Sequence, residues 1–315
     1  MPWKILLPQE IMAEGRKLLE DAGHTIIMGR GFETEDVLAD MKEYQPDAMI
    51  VRITPITREV IEANPNLKVI VRHGAGFDAL DVKACHDNGV QTLYAPVANS
   101  TSVAETAILL MLEMSRNVIV LRKTWVDEFY KAKLKVRKNT LSGKTLGIVG
   151  YGSIGKAVAK IAVAFGMQVL VCATHVDPSQ ETDSIHYASR EEIFAAADVI
   201  TFHCPLFPET TGIVNKDTIA GMKDGVILIN TARGPIVVDQ DVVDAVKSGK
   251  IYAYAADVVS REPIPADNPL QGVENVILTP HIAWAPREAR QRLMDITVSN
   301  LRAFLDGAPV NVVNP

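Results

Sequence analysis

Cysteine is scarce in this sequence, which contains three cysteines among 315 residues. Cys85, Cys172 and Cys204 are odd in number, far apart and outside any C-x-x-C spacing. The sequence therefore offers neither a disulfide framework nor a thiolate metal site. We expect free thiols in a reducing cytoplasm, and we expect no metal site.

An excess of positive charge and long apolar runs are also absent. The net charge of −6 excludes the basic surface typical of nucleic-acid-binding proteins and the polybasic patch that attaches proteins to membranes. A membrane span needs ~18 consecutive apolar residues. The longest candidate, residues 104–120, is interrupted by Glu105, Glu113 and Arg116. These features predict a cytoplasmic protein that binds neither nucleic acid nor membrane.

The segment from Thr145 to Gly166 has the pattern of a dinucleotide-binding unit. An apolar run leads into a G-x-G-x-x-G turn that opens a helix, and this turn consists of Gly150, Gly152, Ser153, Ile154 and Gly155. In such units the first glycine permits the tight turn, the second allows approach to the pyrophosphate, and the third allows close packing of helix and strand. The first amides of the helix then face the phosphates. The alternative is a glycine-rich turn that binds no ligand.

Short apolar segments alternate with helical ones along most of the chain, which predicts an α/β fold with parallel sheets. A chain of 315 residues exceeds the usual size of one core. We therefore expect two doubly wound parallel-sheet domains with a cleft between them. Residues 1–98 and 287–315 would form a flavodoxin-like substrate domain, and residues 99–286 a six-stranded Rossmann dinucleotide-binding domain.

A second glycine-rich turn, RHGAGFDALD, follows the apolar run LKVIV in the first domain. Ligands of open α/β sheets bind beyond the carboxyl ends of the strands. The backbone amides of Ala75 and Gly76 could therefore hold an anion such as a carboxylate. A plain loop turn is an equal alternative on this stretch alone.

Three polar residues follow apolar runs of the second domain: Arg233 in NTARG, Glu262 in REP and His281 in TPHIAWAP. Reduction of a 2-oxo acid needs a cation for the carboxylate, and the fork of an arginine matches that geometry. It also needs an acid that protonates the carbonyl oxygen, and histidine titrates in the right range. A carboxylate beside the histidine would orient it and favour its protonated form. Taken singly, each residue has an ordinary alternative, as a surface ion pair, a loop charge or a hydrogen-bonding strand end.

Several of these motifs together resemble the D-2-hydroxyacid dehydrogenase family. They are GYGSIG, HCPL, NTARG, AADVVSREP and TPHIAWA, together with RHGAGFD and ANSTSVAE nearer the start. The resemblance implies that Arg233 binds the substrate carboxylate and carbonyl, that His281 is the general acid and base, and that Glu262 is its hydrogen-bond partner. Glutamate at that position, rather than glutamine, separates the chain from the formate dehydrogenase branch.

The same resemblance assigns further residues to the site. Ala75 and Gly76 would add backbone contacts to the carboxylate. The cofactor groove would be lined by Pro205, Thr231, Ala232 and Asp257, the last near the nicotinamide carboxamide. Trp284, three residues beyond the acid, resembles the glycerate dehydrogenase and hydroxypyruvate reductase members and is a candidate substrate-binding residue. It could equally form a wall of the pocket for a larger 2-oxo acid, or serve simple packing.

The identity of the cofactor depends on the residue that ends the second strand of the dinucleotide-binding unit. NAD-selective proteins place an acid there, which binds the ribose hydroxyls. This chain has Ala173 instead, followed by Thr174 and His175, and Asp177 comes too late unless the loop bends back. No arginine follows, so positive selection for a phosphate is weak. NADP is favoured over NAD.

The resemblance favours reduction of glyoxylate or hydroxypyruvate to the (R)-2-hydroxy acid. Pyruvate, giving D-lactate, or a bulkier oxo acid is the alternative substrate, and a non-catalytic nucleotide-sensing corepressor is the alternative function. Residues 117–141, which include Trp125, Phe129 and Tyr130, are typical of an arm that binds a second subunit. We expect a homodimer through this region, with a solvated surface helix as the alternative.

Overall fold

The structure is a computed structural model that describes residues 2–124 and 126–314. The chain forms two compact units, Met1–Asn99 with Ala285–Pro315 and Ser100–Trp284. Across the described residues, we find no helix with the length and apolar character that crossing a membrane would require.

The first unit contains a five-stranded parallel sheet in the order β2-β1-β3-β4-β5. Its strands are β1 (Lys4–Leu7), β2 (Thr25–Met28), β3 (Ala48–Val51), β4 (Val69–Arg72) and β5 (Gln91–Leu93). Its helices are α1 (Ala13–Asp21), α2 (Thr34–Tyr44), α3 (Arg58–Glu62), α4 (Val82–Asp87) and, from the end of the chain, α12 (Arg287–Leu305). This strand order is that of flavodoxin-like folds.

The second unit contains a seven-stranded parallel sheet in the order β12-β11-β10-β9-β6-β7-β8. Its strands are β6 (Thr145–Val149), β7 (Gln168–Cys172), β8 (Ile185–Tyr187), β9 (Val199–Phe202), β10 (Val226–Asn230), β11 (Ile251–Ala256) and β12 (Val276–Leu278). Its helices are α5 (Ser100–Arg116), α6 (Val118–Thr124), α7 (Phe129–Leu134), α8 (Ser153–Ala164), α9 (Arg190–Ala196), α10 (Lys216–Ala220) and α11 (Asp239–Ser248), with 3₁₀ turns at Pro178–Gln180 and Gly234–Ile236. Six of the strands follow the 3-2-1-4-5-6 order of dinucleotide-binding folds, and β12 extends the edge.

Two parallel-sheet α/β units confirm the predicted fold class. The predicted count of six strands in the second unit is wrong, because the sheet has seven strands and the sequence did not predict β8. β8 spans three residues and the side chain of His186 at its centre is exposed, so its sequence lacks the apolar run that marks the other strands.

Both sheets are covered by helices, and this burial explains their sequences. All five residues of β10 are buried, and they read as the nearly continuous apolar run VILIN. Such runs are expected where helices cover both faces of a parallel sheet. In the first unit, Met294 and Val298 of α12 pack in the same core as Ile5 and Leu7 of β1. The chain therefore returns to complete the core of its first unit.

Candidate active site

The glycine turn lies between β6 and α8, in the middle of the second sheet. Gly150 has a φ of +102°, and a Cβ at this position would lie 2.5 Å from the backbone nitrogen of Cys204. A Cβ on Gly155 would lie 2.3 Å from the carbonyl oxygen of Gly150. Packing alone therefore requires these two glycines. A Cβ on Gly152, in contrast, would have no neighbouring atom within 4 Å.

The open space beside Gly152 fits the pyrophosphate of a dinucleotide. Gly152 is the N-cap residue of α8, and no side chain caps this helix. The amides of Ser153 and Ile154 in the first turn can therefore serve an anion, and the helix dipole favours its charge. The sheet order reverses between β6 and β9, which is where such ligands bind in open α/β sheets. The residues present fit a nicotinamide dinucleotide.

The three polar strand-end residues lie beyond three neighbouring strands, β10, β11 and β12. The Nδ1 atom of His281 lies 2.8 Å from Oε2 of Glu262. Burial acts to raise the pKa of Glu262, but the hydrogen bond and charge of His281, with a smaller effect of the charge of Arg233, hold it below its ordinary value. The structure therefore brings Arg233, Glu262 and His281 together.

The pairing leaves one ring atom of His281 for chemistry. Because Nδ1 is hydrogen-bonded to the carboxylate of Glu262, Nε2 is the atom that can exchange a proton with a substrate. The side chain of His281 is 44% exposed. The arrangement can accept and donate a proton next to an arginine.

A buried carboxylate holds the loop that carries the histidine. Asp257 is 1% exposed. Its Oδ1 accepts hydrogen bonds from Oγ1 of Thr279 at 2.6 Å and the amide of Ile282 at 2.9 Å, and its Oδ2 accepts one from the amide of Ala283 at 2.7 Å. Within this loop His281 has a φ of +54°, which is uncommon for a residue other than glycine. The carboxylate therefore stabilises a backbone conformation that the histidine would rarely adopt by itself.

Two further hydrogen bonds hold the other side of this loop. Nε1 of Trp284 donates to the carbonyl oxygen of His281 at 2.9 Å. The hydroxyl of Ser102, on α5, donates to the carbonyl oxygen of Ala283. Trp284, predicted to form a wall of the substrate pocket, is a hydrogen-bonding partner of the loop that carries His281.

The turn that carries Arg233 is fixed by a buried amide. Asn230 is completely buried, its Nδ2 donates to the carbonyl oxygen of Arg233 at 2.8 Å, and its Oδ1 accepts from the amide of Ala232 at 3.1 Å. A Cβ on Gly234 would lie 1.9 Å from the carbonyl carbon of Val259. This glycine therefore lets the arginine turn pack against the backbone segment that leads to the glutamate.

The remaining residues predicted for the cofactor groove follow strands of the same sheet. Thr231 and Ala232 lie after β10 and are mostly buried, whereas Pro205 lies after β9 and is exposed. Oγ1 of Thr231 lies 3.4 Å from Nδ1 of His203, and the carbonyl oxygen of Pro205 accepts a hydrogen bond from Thr210 at 2.7 Å.

The end of β7 is without a free acid. Ala173 directly follows the strand, and Thr174 and His175 are exposed. Asp177 is engaged in its own turn, where it accepts hydrogen bonds from the amide and hydroxyl of Ser179 and from the side chain of Gln180. These bonds lower the pKa of Asp177. The loop therefore uses this carboxylate for its own structure.

The loop after β4 in the first unit carries Ala75 and Gly76. Neither amide donates a hydrogen bond to any residue within 2–124 and 126–314. The loop is held instead through Gly74, whose carbonyl oxygen accepts from the amide of Ala95 at 3.0 Å. Two neighbouring free amides are suited to binding a carboxylate oxygen.

Sequence reasoning missed several residues that build this site. Asn230 and Thr279 were not predicted, and Asp257 was predicted for cofactor contact rather than for holding the loop. The available signal was a polar residue at the end of an apolar strand, as in VILIN. Among the described residues, no group of three or more His, Cys, Asp or Glu side chains is placed to hold a metal ion.

Comparisons with known proteins agree with this geometry. Residues 108–283 match the family model described as "D-isomer specific 2-hydroxyacid dehydrogenase, NAD binding domain". Over 305 residues the chain is 44% identical to a hydroxypyruvate reductase of Blautia hydrogenotrophica, covering 95% of this chain and 94% of that protein. It is 36% identical to a D-3-phosphoglycerate dehydrogenase of Archaeoglobus fulgidus, covering 99% of this chain and 59% of that longer protein.

Among solved structures, a glyoxylate reductase from Paecilomyes thermophila matches with a TM-score of 0.89 at 29% identity, over 99% of this chain and 98% of that one. The family model, the relatives and the fold thus agree. The chain belongs to the D-isomer-specific 2-hydroxyacid dehydrogenases, oxidoreductases that use a nicotinamide cofactor and act on the CH–OH group of 2-hydroxy acids.

Proposed function

We propose that the protein reduces hydroxypyruvate or glyoxylate to the (R)-2-hydroxy acid, with NADPH preferred over NADH. The observation that carries this proposal is the hydrogen-bonded pair of His281 and Glu262 with the charge of Arg233 beside it. Relatives named hydroxypyruvate reductase and glyoxylate reductase support the substrate class.

Each of the three residues has a role in this proposal. Arg233 binds the carboxylate and carbonyl oxygens of the oxo acid, since its planar fork presents paired donors. Nε2 of His281 gives a proton to the carbonyl oxygen, which becomes the hydroxyl of the product. Glu262 orients the ring through Nδ1 and stabilises its charged form. When bound, the nicotinamide supplies the hydride that is added to the carbonyl carbon.

The first unit would act as the substrate domain and the second as the dinucleotide-binding domain. We assign the free amides of Ala75 and Gly76 to the substrate carboxylate and the ring of Trp284 to the wall of the substrate pocket. Asp257 retains one acceptor position beyond the three hydrogen bonds to the loop, which suits a contact with the carboxamide of the nicotinamide.

The preference for NADPH is proposed from the end of β7. Ala173 carries no charge that would repel a 2′-phosphate, and the carboxylate of Asp177 is occupied by Ser179 and Gln180. The side chains of Thr174 and His175 are exposed and can donate to a phosphate.

We also propose a homodimer through residues 117–141. In this region Val118, Phe129, Tyr130 and Leu134 are each more than half exposed, which is unusual for large apolar side chains so close in sequence. Trp125, which was predicted to belong to this arm, lies outside the described residues. Light scattering on the purified protein would give the mass, and a monomer at micromolar concentration would contradict the proposal.

Oxidation of NADPH and NADH, followed at 340 nm with a panel of oxo acids, tests the function. The panel contains hydroxypyruvate, glyoxylate, pyruvate and phenylpyruvate. We expect the highest kcat/KM with hydroxypyruvate or glyoxylate, whereas higher values for pyruvate or phenylpyruvate would reassign the substrate.

The variant His281→Ala tests the assigned chemistry. We expect kcat to fall by about 10²–10⁴, the usual contribution of a general acid, while the dissociation constant of NADPH changes little. His186→Ala, an exposed histidine in the same unit, is the matched control. Unchanged turnover in His281→Ala would overturn the proposal.

A further inference from the structure

Arg190 is the first residue of α9, a helix that packs against β7 and against β6, the strand that leads into the glycine turn. Burial raises the pKa values of the Cys172 and Cys204 thiols, and the positive charge of Arg190 acts in the opposite direction on both. Cys172 ends β7 directly before Ala173, and Cys204 follows β9 and contacts the glycine turn at Gly150. Arg190 therefore places a positive charge near the end of β7, where Ala173 stands in place of an acid. Arg190 lies 17 positions after Ala173 in the sequence.

The guanidinium of Arg190 has an N–H group without a hydrogen-bond acceptor in the described part of the chain. Its Nε is buried and has no hydrogen-bond partner among the described residues. One terminal nitrogen, Nη2, donates to Oε1 of Glu191 at 3.2 Å, but the side chain of Glu191 is 74% exposed. An ion pair of this kind with an exposed carboxylate contributes little to stability. A buried N–H without an acceptor, in contrast, is costly, and an incoming anion would relieve it.

We propose that Arg190 binds the 2′-phosphate of NADPH and is a specificity-determining residue for this cofactor. A phosphate offers oxygens for the bidentate contacts that an arginine fork makes, and the neutral Ala173 leaves room for this charge. This role rests on the proposed reductase function, and it supplies the arginine that is missing from the sequence directly after β7.

Calorimetric titration with 2′,5′-ADP and with 5′-AMP tests the inference without turnover, because the two probes differ by the 2′-phosphate. For Arg190→Gln we expect affinity for 2′,5′-ADP to fall at least about tenfold and affinity for 5′-AMP to change less than about twofold. Arg190→Lys should restore part of the lost affinity, since it keeps the charge but not the fork. Lys247→Gln, an exposed cation on α11, is the control for a general loss of positive charge.

The outcomes separate the two proposals. An equal loss for both probes, or no loss for either, would overturn the role of Arg190, as would a wild-type protein that binds 5′-AMP more tightly than 2′,5′-ADP. In each of these cases, turnover of hydroxypyruvate with either cofactor would leave the reductase function standing. A wild-type protein that binds neither probe and oxidises neither cofactor would instead overturn the proposed function. Thermal unfolding of Arg190→Gln shows whether this variant folds. If it does not, the affinities of Arg190→Lys for 2′,5′-ADP and 5′-AMP test the role of Arg190 instead.

Discussion

Oε2 of Glu262 accepts a hydrogen bond from Nδ1 of His281 at 2.8 Å, although 19 residues separate them in the chain. The pKa of Glu262 lies below its ordinary value because the favourable effects of the histidine and of Arg233 exceed the cost of burial. The carboxylate therefore keeps its charge throughout the neutral range. Its contribution to stability is present above the ordinary pKa of 4.5 and is lost only as the pH falls through the lowered value.

The variant Glu262→Gln should change the pH dependence of reduction. Glutamine can still accept the hydrogen bond from Nδ1 of His281 but no longer stabilises the imidazolium, so less of the acid form is present at a given pH. We expect reduction by this variant to lose activity at lower pH than reduction by the wild-type protein. The pH profile of kcat/KM measures this. Glu274→Gln, an exposed glutamate before β12, is the control, and identical profiles for Glu262→Gln and wild type would contradict the assigned role.

Substitutions at two glycines of the turn should affect cofactor binding and protein stability separately. In Gly152→Ala the new methyl group meets no protein atom within 4 Å, so we expect wild-type stability with a loss of NADPH affinity of tenfold or more. In Gly150→Ala the backbone at φ +102° and Cys204 at 2.5 Å both oppose the methyl group, so the protein should lose about 1–3 kcal/mol of stability. Urea unfolding and fluorescence titration with NADPH distinguish the two. Equal effects of the two variants on stability would contradict this division.

The buried carboxylate of Asp257 should matter for both stability and turnover. In Asp257→Asn the side-chain amide directs an N–H group at one of the donors Thr279, Ile282 or Ala283, which leaves that donor buried and unpaired. We expect unfolding free energy to decrease by about 1–3 kcal/mol and kcat to decrease as the His281 loop loses its conformation. Urea unfolding and steady-state kinetics test this, with the exposed Asp267→Asn as control. Wild-type kcat would show that the loop does not depend on the carboxylate.

The sequence predicted those parts of the fold that follow from local patterns. The run VILIN and the turn GYGSIG specify buried strands and a helix start within a few residues, so the class of fold and the glycine turn follow directly. Strand β8 could not be predicted in this way, because it has only three residues, its central His186 is exposed, and the other two are half-buried.

The candidate site was predicted less completely than the fold. His281 and Glu262 could be named, because their chemistry is visible in their residue types. The hydrogen bonds of Asn230 and Asp257, and the position of Arg190 near Cys172, arise only in the folded protein. A buried carboxylate that accepts from Ile282 and a guanidinium near Cys172 bring together residues that are far apart in sequence, and no local spacing encodes such contacts.

His73, a buried histidine at the end of the first sheet, predicts how stability depends on pH. Thr297 donates its hydroxyl hydrogen to the carbonyl oxygen of Leu293 at 2.8 Å, so it accepts from Nδ1 of His73 at 2.9 Å, and the ring is neutral with its proton on Nδ1. Burial, with smaller effects of Arg52 and Arg72, lowers the pKa of His73 to about 3. The unfolded chain, with an ordinary pKa of 6.5 at this residue, therefore binds one more proton between pH 6.5 and 3. Stability is complete above this window and decreases by about 1.4 kcal/mol for each pH unit below 6.5. Urea unfolding between pH 7 and 4 should show that the free energy of unfolding decreases less steeply with falling pH in His73→Asn, which keeps a donor for Thr297, than in the wild-type protein. The exposed control His86→Asn should behave like the wild type. Parallel curves for all three proteins would refute a neutral, buried His73.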